Sequence, residues 1–221
     1  MGFYLYTGNK LEKLAELFRE QVYARQADET AWLTPETVVI QTQGMGAWLK
    51  LELAKSAPLA ANLNFPFLNK FIESVLEKAF PDFHESLRYL SKEVMAWRIF
   101  HIFSDHPETF PELNGYFSRD TGEQDLKKYQ LAVKVAGLFD QYQIYHGDML
   151  GNWRRNGGNG WQERLYLELA ESRKSIDRYF NDFLSLTSIP EDAAPKRISV
   201  FGISTMAPVF LQFFVKLAEF R

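Results

Sequence analysis

The chain has 221 residues, enough for one large domain or two small ones with a buried core. Its formal net charge of -3 argues against a small basic module that grips nucleic acid by charge alone. The absence of cysteine excludes disulfides, thiolate metal sites and cysteine nucleophiles.

The two ends of the sequence carry no targeting pattern. Met1 to Asn9 lack the basic and apolar regions of a signal peptide. No apolar run approaches the roughly 18 residues of a membrane span, so we expect a cytoplasmic protein without membrane contact. The last residues, Phe214 to Arg221, resemble the middle of an amphipathic helix without a stop signal, and we expect the chain to be part of a longer protein.

Strand and helix patterns alternate in the first third of the chain. Short apolar runs rich in aromatic or β-branched residues predict strands near 3–6, 37–41, 59–63 and 197–201. Apolar residues at helical spacing predict helices at Leu11–Val22, Trp48–Lys55 and Phe71–Ala79, near 91–103, 123–146 and 161–184, and from Pro208 onwards.

This order of elements predicts an α/β fold with a parallel sheet and flanking helices. Residues 91–185 contain no good strand, which indicates a helical block inserted into the α/β domain. We therefore divide the chain into a first part of the α/β domain at 1–84, an inserted all-helical subdomain at 85–190, and a return to the α/β domain at 191–221.

The turn from Gln41 to Trp48 stands where a phosphate-binding loop would stand, between a strand and a helix. A P-loop needs a Lys and a Ser or Thr directly after its second glycine, and neither follows Gly46. Gly44 and Gly46 are therefore interpreted as residues that permit a tight turn.

No pattern of catalytic or metal-binding residues is present. The four histidines, His84, His101, His106 and His146, do not share the spacing of metal ligands on a helix. Ser204 lies outside any Gly-x-Ser-x-Gly pattern. We expect no cofactor, no metal and no active site in this chain.

The segment from Leu131 to Tyr145 predicts a long helix with apolar residues on two sides. Asp140 falls within the second apolar stripe, which contains Val133, Gly137 and Ile144. Such an aspartate is either hydrogen-bonded within a core or faces a cleft. The residues alone favour the buried, structural role.

Five segments occur in a distinctive order and at a distinctive spacing: Val39–Leu49, Ala60–Pro66, Met95–Trp97, Leu138–Tyr145 and Val200–Ser204. Together they resemble the amino-terminal part of the RecC family, the gamma chain of exodeoxyribonuclease V. The resemblance implies a degenerate superfamily-one helicase domain that has lost its ATP-binding residues and carries a helical insertion.

The resemblance also implies a function in double-strand break repair by homologous recombination. RecC proteins split the duplex, channel the strands and scan one strand for the Chi sequence, without catalysis of their own. The implied partners are RecB-like and RecD-like subunits, which supply the motors and the nuclease, and single-stranded DNA.

The implied scanning residues are Gln41, Leu138, Asp140 and Gln141, with Phe67 nearby. The residue type of Phe67 departs from the family pattern. Further departures occur at Gln43, Ala47, Glu73, Gly137 and His146. The sequence that is recognised is therefore expected to differ from that of better-known members, or scanning to be absent.

Three other functions stay open at this point. The first is an active ATP-dependent helicase or NTPase domain, which the missing P-loop residues oppose. The second is an AddB-like subunit, whose iron–sulfur and nuclease motifs would lie beyond residue 221. The third is an α/β protein that binds a small ligand beneath a helical lid.

We predict that the chain does not bind ATP with micromolar affinity in the presence of magnesium. The turn from Gln41 to Trp48 offers no lysine to neutralise phosphate and no hydroxyl for magnesium at P-loop spacing. Isothermal calorimetry measures this directly, with a P-loop ATPase as the positive control. Saturable micromolar binding would favour the NTPase alternative instead.

Overall fold

The computed structural model describes residues 2–23, 35–55, 62–117, 124–171 and 173–220. The chain forms two compact units. The sheet unit comprises residues 1–79, 187–206 and 210–221, and the helical unit comprises residues 80–186 and 207–209.

Three strands make up the sheet of the described residues: β1 (Glu36–Val39), β2 (Leu63–Asn64) and β3 (Ile198–Val200). Their order is β2-β1-β3, and both pairings are parallel. Thr37 at the centre pairs with Asn64 on one side and with Ile198 on the other. The predicted parallel sheet is confirmed, although residues 59–61 of the predicted third strand lie outside the described residues.

The prediction of a strand at 3–6 is wrong. Residues Phe3 to Tyr6 form no strand, and Tyr4 and Leu5 are 76% and 77% exposed. A strand needs a partner for its backbone N–H and C=O groups, and none of the described strands pairs with this segment. Apolar composition alone does not supply that partner.

The helices of the described residues are, in chain order, α1 (Leu11–Tyr23), α2 (Gln43–Ala54), α3 (Leu68–Ala79), α4 (Phe83–Tyr89), α5 (Lys92–Asp105), α6 (Asn114–Phe117), α7 (Gln124–Tyr145), α8 (Gly147–Asn156), α9 (Trp161–Ala170), α10 (Ile176–Ser185) and α11 (Pro208–Glu219). Two single-turn 3-10 helices, Pro107–Thr109 and Pro111–Leu113, lie between α5 and α6. As predicted, no strand occurs among the described residues of 91–185. Within the described ranges, no helix is long and apolar enough to cross a membrane.

Helix α2 begins five residues earlier than predicted. The Thr42 hydroxyl caps it by accepting a hydrogen bond from Met45 N at 3.3 Å, so the helix starts at Gln43 rather than at Trp48. The predicted helix 161–184 is two helices, α9 and α10, and α8 was not predicted. Ser175 stands at the N-cap position of α10, where the chain leaves helical geometry.

The role expected for the two glycines of the 41–48 turn needs correction. Neither Gly44 nor Gly46 has a positive φ angle, and both lie inside α2. A Cβ atom on Gly46 would lie 2.9 Å from Ile40 Cδ1, closer than such atoms approach. Gly46 therefore permits close packing of α2 against the end of β1, while Gly44 meets no atom within 4 Å.

One hydrophobic cluster of the sheet unit lies between β1 and the helices α1 and α2. Its buried members are Ala15, Phe18, Val38, Ile40, Leu49, Leu53 and Phe201. Phe201, directly after β3, packs its ring against Trp48 at a centroid distance of 6.3 Å. Burial of these apolar side chains supplies the main stabilisation of the sheet.

Helix α7 is the centre of the helical unit. Its buried residues, Ala132, Val135, Ala136, Phe139 and Gln143, lie on a single face at helical spacing. The second apolar stripe of the sequence, with Val133, Gly137 and Ile144, is only partly buried. Ala132 and Ala136 are fully buried, and their small side chains allow the close approach of α5, which packs more extensively on α7 than any other described element does.

A buried ionic cluster joins three of these helices. The Arg154 guanidinium on α8 donates hydrogen bonds to the Asp177 carboxylate and to Ser175 Oγ, the latter at 3.2 Å. Asp177 is only 3% exposed. On α7, the buried Gln143 Oε1 accepts a hydrogen bond from Ile176 N at 3.3 Å. The start of α10 is thus held by side chains of both α7 and α8.

We predict that Asp177→Ala lowers the free energy of unfolding by about 3 kcal/mol, since it leaves the Arg154 charge without its buried partner. Urea denaturation followed by circular dichroism measures the loss. The matched control is Glu112→Ala, which breaks an exposed ion pair with Arg164 at 2.9 Å. The control should lose much less, because solvent screens an exposed pair. Equal losses of unfolding free energy in the two variants would show that burial does not increase the contribution of the Arg154–Asp177 pair to stability.

Candidate nucleic-acid interface

Three of the predicted site residues, Leu138, Asp140 and Gln141, lie on the exposed side of α7. Leu138 is 38% exposed, and Asp140 makes no hydrogen bond or ion pair to any other described residue. Asp140 immediately follows the fully buried Phe139, and a step of one residue rotates a side chain by about 100° around the helix. The buried structural role for Asp140, favoured by the residues alone, is therefore wrong.

The electrostatic surroundings of Asp140 come from α5. Loss of water around the carboxyl group raises the pKa of Asp140 above its usual value, the positive charge of Lys92 opposes this shift, and the negative charge of Glu93 adds to it. A Cβ atom on Gly137 would lie 3.5 Å from Lys92 Cε and 3.9 Å from Lys92 Nζ. The lysine side chain therefore lies across the glycine, one turn before Asp140.

Sequence reasoning missed Lys92. It stands at the first position of α5, far along the chain from α7, and no local pattern indicates that the two meet. Two long helices predicted within one insertion could have suggested that α5 packs on α7. The register of such a pair depends on packing, so the sequence did not show that Lys92 would lie near Asp140.

The other two predicted residues, Gln41 and Phe67, lie in the sheet unit. Gln41 is exposed and directly follows Ile40, whose backbone pairs in parallel with Phe67. Phe67 is 46% exposed. The end of β1 therefore brings these two site residues to adjacent chain segments.

A cleft of about 430 Å³ opens beside Phe67. It is lined by Ile40, Gln43, Gly46, Ala47, Lys50, Phe65 and Phe67. Lys50 Nζ lies 5.2 Å from the centre of the Phe65 ring, a cation–π distance. The cleft offers two rings, one ammonium group and one amide to a ligand.

The five positions that depart from the family pattern are distributed over both units. Gln43 and Ala47 are exposed on the first turns of α2, and Glu73 on α3 is paired with Lys70 at 2.7 Å. Gly137 lies under Lys92, and the His146 ring contacts Tyr142 at a centroid distance of 5.6 Å after the end of α7. Gly137 and His146, the two that belong to the helical unit, carry no carboxylate.

The exposed side chains at these positions can form hydrogen bonds to a ligand. Within the described ranges, no group of three histidine, aspartate or glutamate side chains is arranged to hold a metal ion. Glutamine both donates and accepts hydrogen bonds, and an ionised aspartate accepts them. Such groups suit the edges of unpaired bases. Gln41 and Phe67 belong to one unit and Leu138, Asp140 and Gln141 to the other, so a single channel lined by all five stays a prediction.

Comparison with known proteins gives a match to one family over nearly the whole chain. Residues 3–221 match the model of the RecC N-terminal domain. The RecC subunit of the RecBCD enzyme from Escherichia coli strain K12 is 28% identical over 228 residues, which cover 94% of this chain and 20% of that protein. The RecC subunit from Haemophilus influenzae is 26% identical over 247 residues, with 95% and 22% coverage. The chain thus spans about a fifth of the length of the curated relatives it matches.

We predict that Lys92→Met raises the pKa of Asp140 further, because it removes the positive charge that now favours the ionised carboxylate. Glu93→Gln should lower the pKa, because it removes a repelling negative charge. Carboxyl carbon NMR against pH measures both shifts. Lys134→Met is the control, since Lys134 lies on the same helix but does not contribute to the Asp140 shift. An unchanged or lowered pKa in Lys92→Met would show that Lys92 does not face Asp140.

Proposed function

We propose that this chain, which belongs to the RecC N-terminal domain family, is part of a DNA-guiding and Chi-scanning subunit of a RecBCD-type helicase–nuclease. The subunit acts in the repair of double-strand breaks by homologous recombination and has no active site in this region. It resembles a superfamily-one helicase domain that does not use ATP.

The observation that carries the proposal is the exposure of Asp140 and Gln141 at consecutive positions on α7. This polar pair lies beside the half-exposed Leu138 and takes part in no hydrogen bond or ion pair of the described residues, which leaves its polar groups accessible to a ligand. The family resemblance implies a scanning role for the same two residues.

The chemistry of base reading fits these side chains. The Asp140 carboxylate accepts a hydrogen bond from an exocyclic amine, cytosine N4 or adenine N6. Gln141 and Gln41 each donate and accept, so they suit bases that present both kinds of group. Phe67 offers a ring for stacking. Recognition of this kind requires unpaired bases, which the motor subunits of the complex would supply.

The proposed partners are RecB-like and RecD-like subunits, which would provide ATP-driven unwinding and nuclease activity. The relatives matched here are RecBCD subunits, and this supports a partnership of the same kind. We place the complex in the cytoplasm, where broken chromosomal DNA is repaired.

We predict that Asp140→Ala in the assembled full-length complex changes sequence-dependent pausing or nuclease attenuation and leaves the unwinding rate near normal. Loss of one base contact should reduce discrimination by about 1–3 kcal/mol. Linear duplexes with a randomised internal segment, sequenced after digestion, reveal where the complex pauses. The control is Asp148→Ala, an exposed aspartate in the first turn of α8.

The stability of the chain separates this role from a structural one. Because Asp140 is exposed, Asp140→Ala should leave the melting temperature close to that of the parent protein. A large drop in melting temperature with unchanged recognition would return Asp140 to a structural role and remove the proposed scanning site.

A further inference from the structure

We propose that the face formed by α5 and α7 continues from Asp140 to an aromatic pair, Trp97 and Tyr129, and binds single-stranded DNA along its length. In this arrangement a base stacks on Trp97, and Lys92 and Lys134 contact phosphates. The inference rests on the proposed function. It extends that function from the scanning residues to the strand path, by which we mean the course of the DNA strand along α5 and α7.

The aromatic pair is exposed and firmly supported. Trp97 on α5 is 55% exposed, and its ring centroid lies 5.1 Å from that of the half-buried Tyr129 on α7. Phe100 meets both rings edge-on, at 6.0 Å from Trp97 and 6.1 Å from Tyr129, and packs against the core of the helical unit. The Trp97 ring is held in place by its neighbours and is still half exposed, so a base can stack on it.

The pair and Asp140 share one side of α7. Tyr129, Val133 and Asp140 are separated by four and seven residues, so their side chains follow one stripe of the helix. At 1.5 Å per residue, the stripe from Tyr129 to Asp140 measures about 16 Å. That distance corresponds to roughly five nucleotides at the 3.4 Å spacing of a stacked strand.

Two lysines, one on this face and one beside it, offer positive charge to a nucleic-acid backbone. The Lys92 side chain lies across Gly137. Lys134 lies seven residues before Gln141, so these two side chains share the outward side of α7, next to the stripe that holds Tyr129 and Asp140. Within the described part of the chain, neither ammonium group has a carboxylate at ion-pair distance. Both charges are therefore available to phosphates, while the acidic Glu93 and Asp140 face the exocyclic amines of bases.

The composition of the face favours a nucleic acid over a protein partner. The centre of a protein–protein interface is depleted in lysine and other charged residues. Here lysine, glutamine and aspartate lie between the aromatic pair and the end of the helix, at Lys134, Gln141 and Asp140. Exposed rings beside unpaired cations are the combination that binds single strands with little dependence on sequence.

The first test measures binding of a fluorescent oligothymidylate of about fifteen nucleotides by anisotropy. The net charge of -3 predicts weak binding by this chain, so salt is varied from about 50 to 200 mM. Trp97→Ala should weaken binding about tenfold, as expected for one lost base stack, and Trp97→Phe should restore most of it. The control is Tyr116→Ala, an aromatic residue that is 46% exposed elsewhere in the same unit.

The second test uses the salt dependence. Lys134→Ala and Lys92→Ala should each reduce the slope of log affinity against log salt by about 0.7, the value for one released counterion on a single strand. Lys13→Ala, an exposed lysine on α1, is the control and should leave the slope unchanged. Circular dichroism melting of every variant ensures that a loss of binding is not a loss of folding.

The third test locates the strand in the assembled full-length complex, where oligonucleotides with 5-bromodeoxyuridine are photocrosslinked and the attached residues are identified by mass spectrometry. Crosslinks at Trp97 or Tyr129 support the strand path. Normal DNA binding by Trp97→Ala, or loss of assembly with the RecB-like partner while DNA binding persists, overturns it and assigns the face to a protein.

The outcomes also separate this inference from the proposed function. If Asp140→Ala changes sequence-dependent pausing but Trp97→Ala changes no DNA property, the scanning site stands and the strand path fails. If Trp97→Ala weakens binding but Asp140→Ala leaves pausing unchanged, the path stands as a sequence-independent surface and the scanning role fails.

Discussion

Close packing of α5 against one face of α7 is the constraint on which the helical unit depends. Small buried side chains, Ala132 and Ala136 on α7 and Ala96 on α5, belong to the same core cluster as Phe139. Small residues let two helix axes approach closely, and this closeness fixes the rotation of α7 about its own axis. That rotation decides which residues of α7 meet solvent.

The consequence is a helix with two different sides. The buried side carries Phe139 and Gln143 into the core, while the exposed side carries Leu138, Asp140 and Gln141. Since α5 and α7 run in opposite directions, the start of α5 brings Lys92 to the end of α7 that holds Asp140. The contact between α5 and α7 therefore leaves Asp140 exposed and also brings the positive charge of Lys92, which lowers the pKa of Asp140, close to it.

Polar contacts also hold the C-terminal end of α7. Gln143 binds the first backbone N–H of α10, and Arg154 clamps Asp177 one residue later. Such buried ionic pairs contribute little net stability compared with apolar packing, but they tolerate few alternative arrangements. In the sheet unit, Gly46 has a comparable effect, since α2 can approach Ile40 only where no Cβ intervenes.

The sequence by itself determined the periodic features. Alternating strand and helix patterns around Val38 and Ser199 predicted the parallel sheet, and regular apolar spacing predicted α7 to within a residue or two. Five short segments indicated the family that the whole-chain match then showed. These features are local, or depend only on the order of segments, so they can be read along the chain.

Only the tertiary structure decided which side of each element is buried. The exposure of Asp140 follows from the face of α7 that α5 covers, and two apolar stripes in the sequence did not distinguish that face. The segment 3–6 has the composition of a strand, but none of the described strands pairs with it. The break between α9 and α10 lies where Ser175 and Ile176 form hydrogen bonds with Arg154 on α8 and Gln143 on α7. Burial and pairing depend on residues distant in sequence, whereas periodicity depends on neighbours.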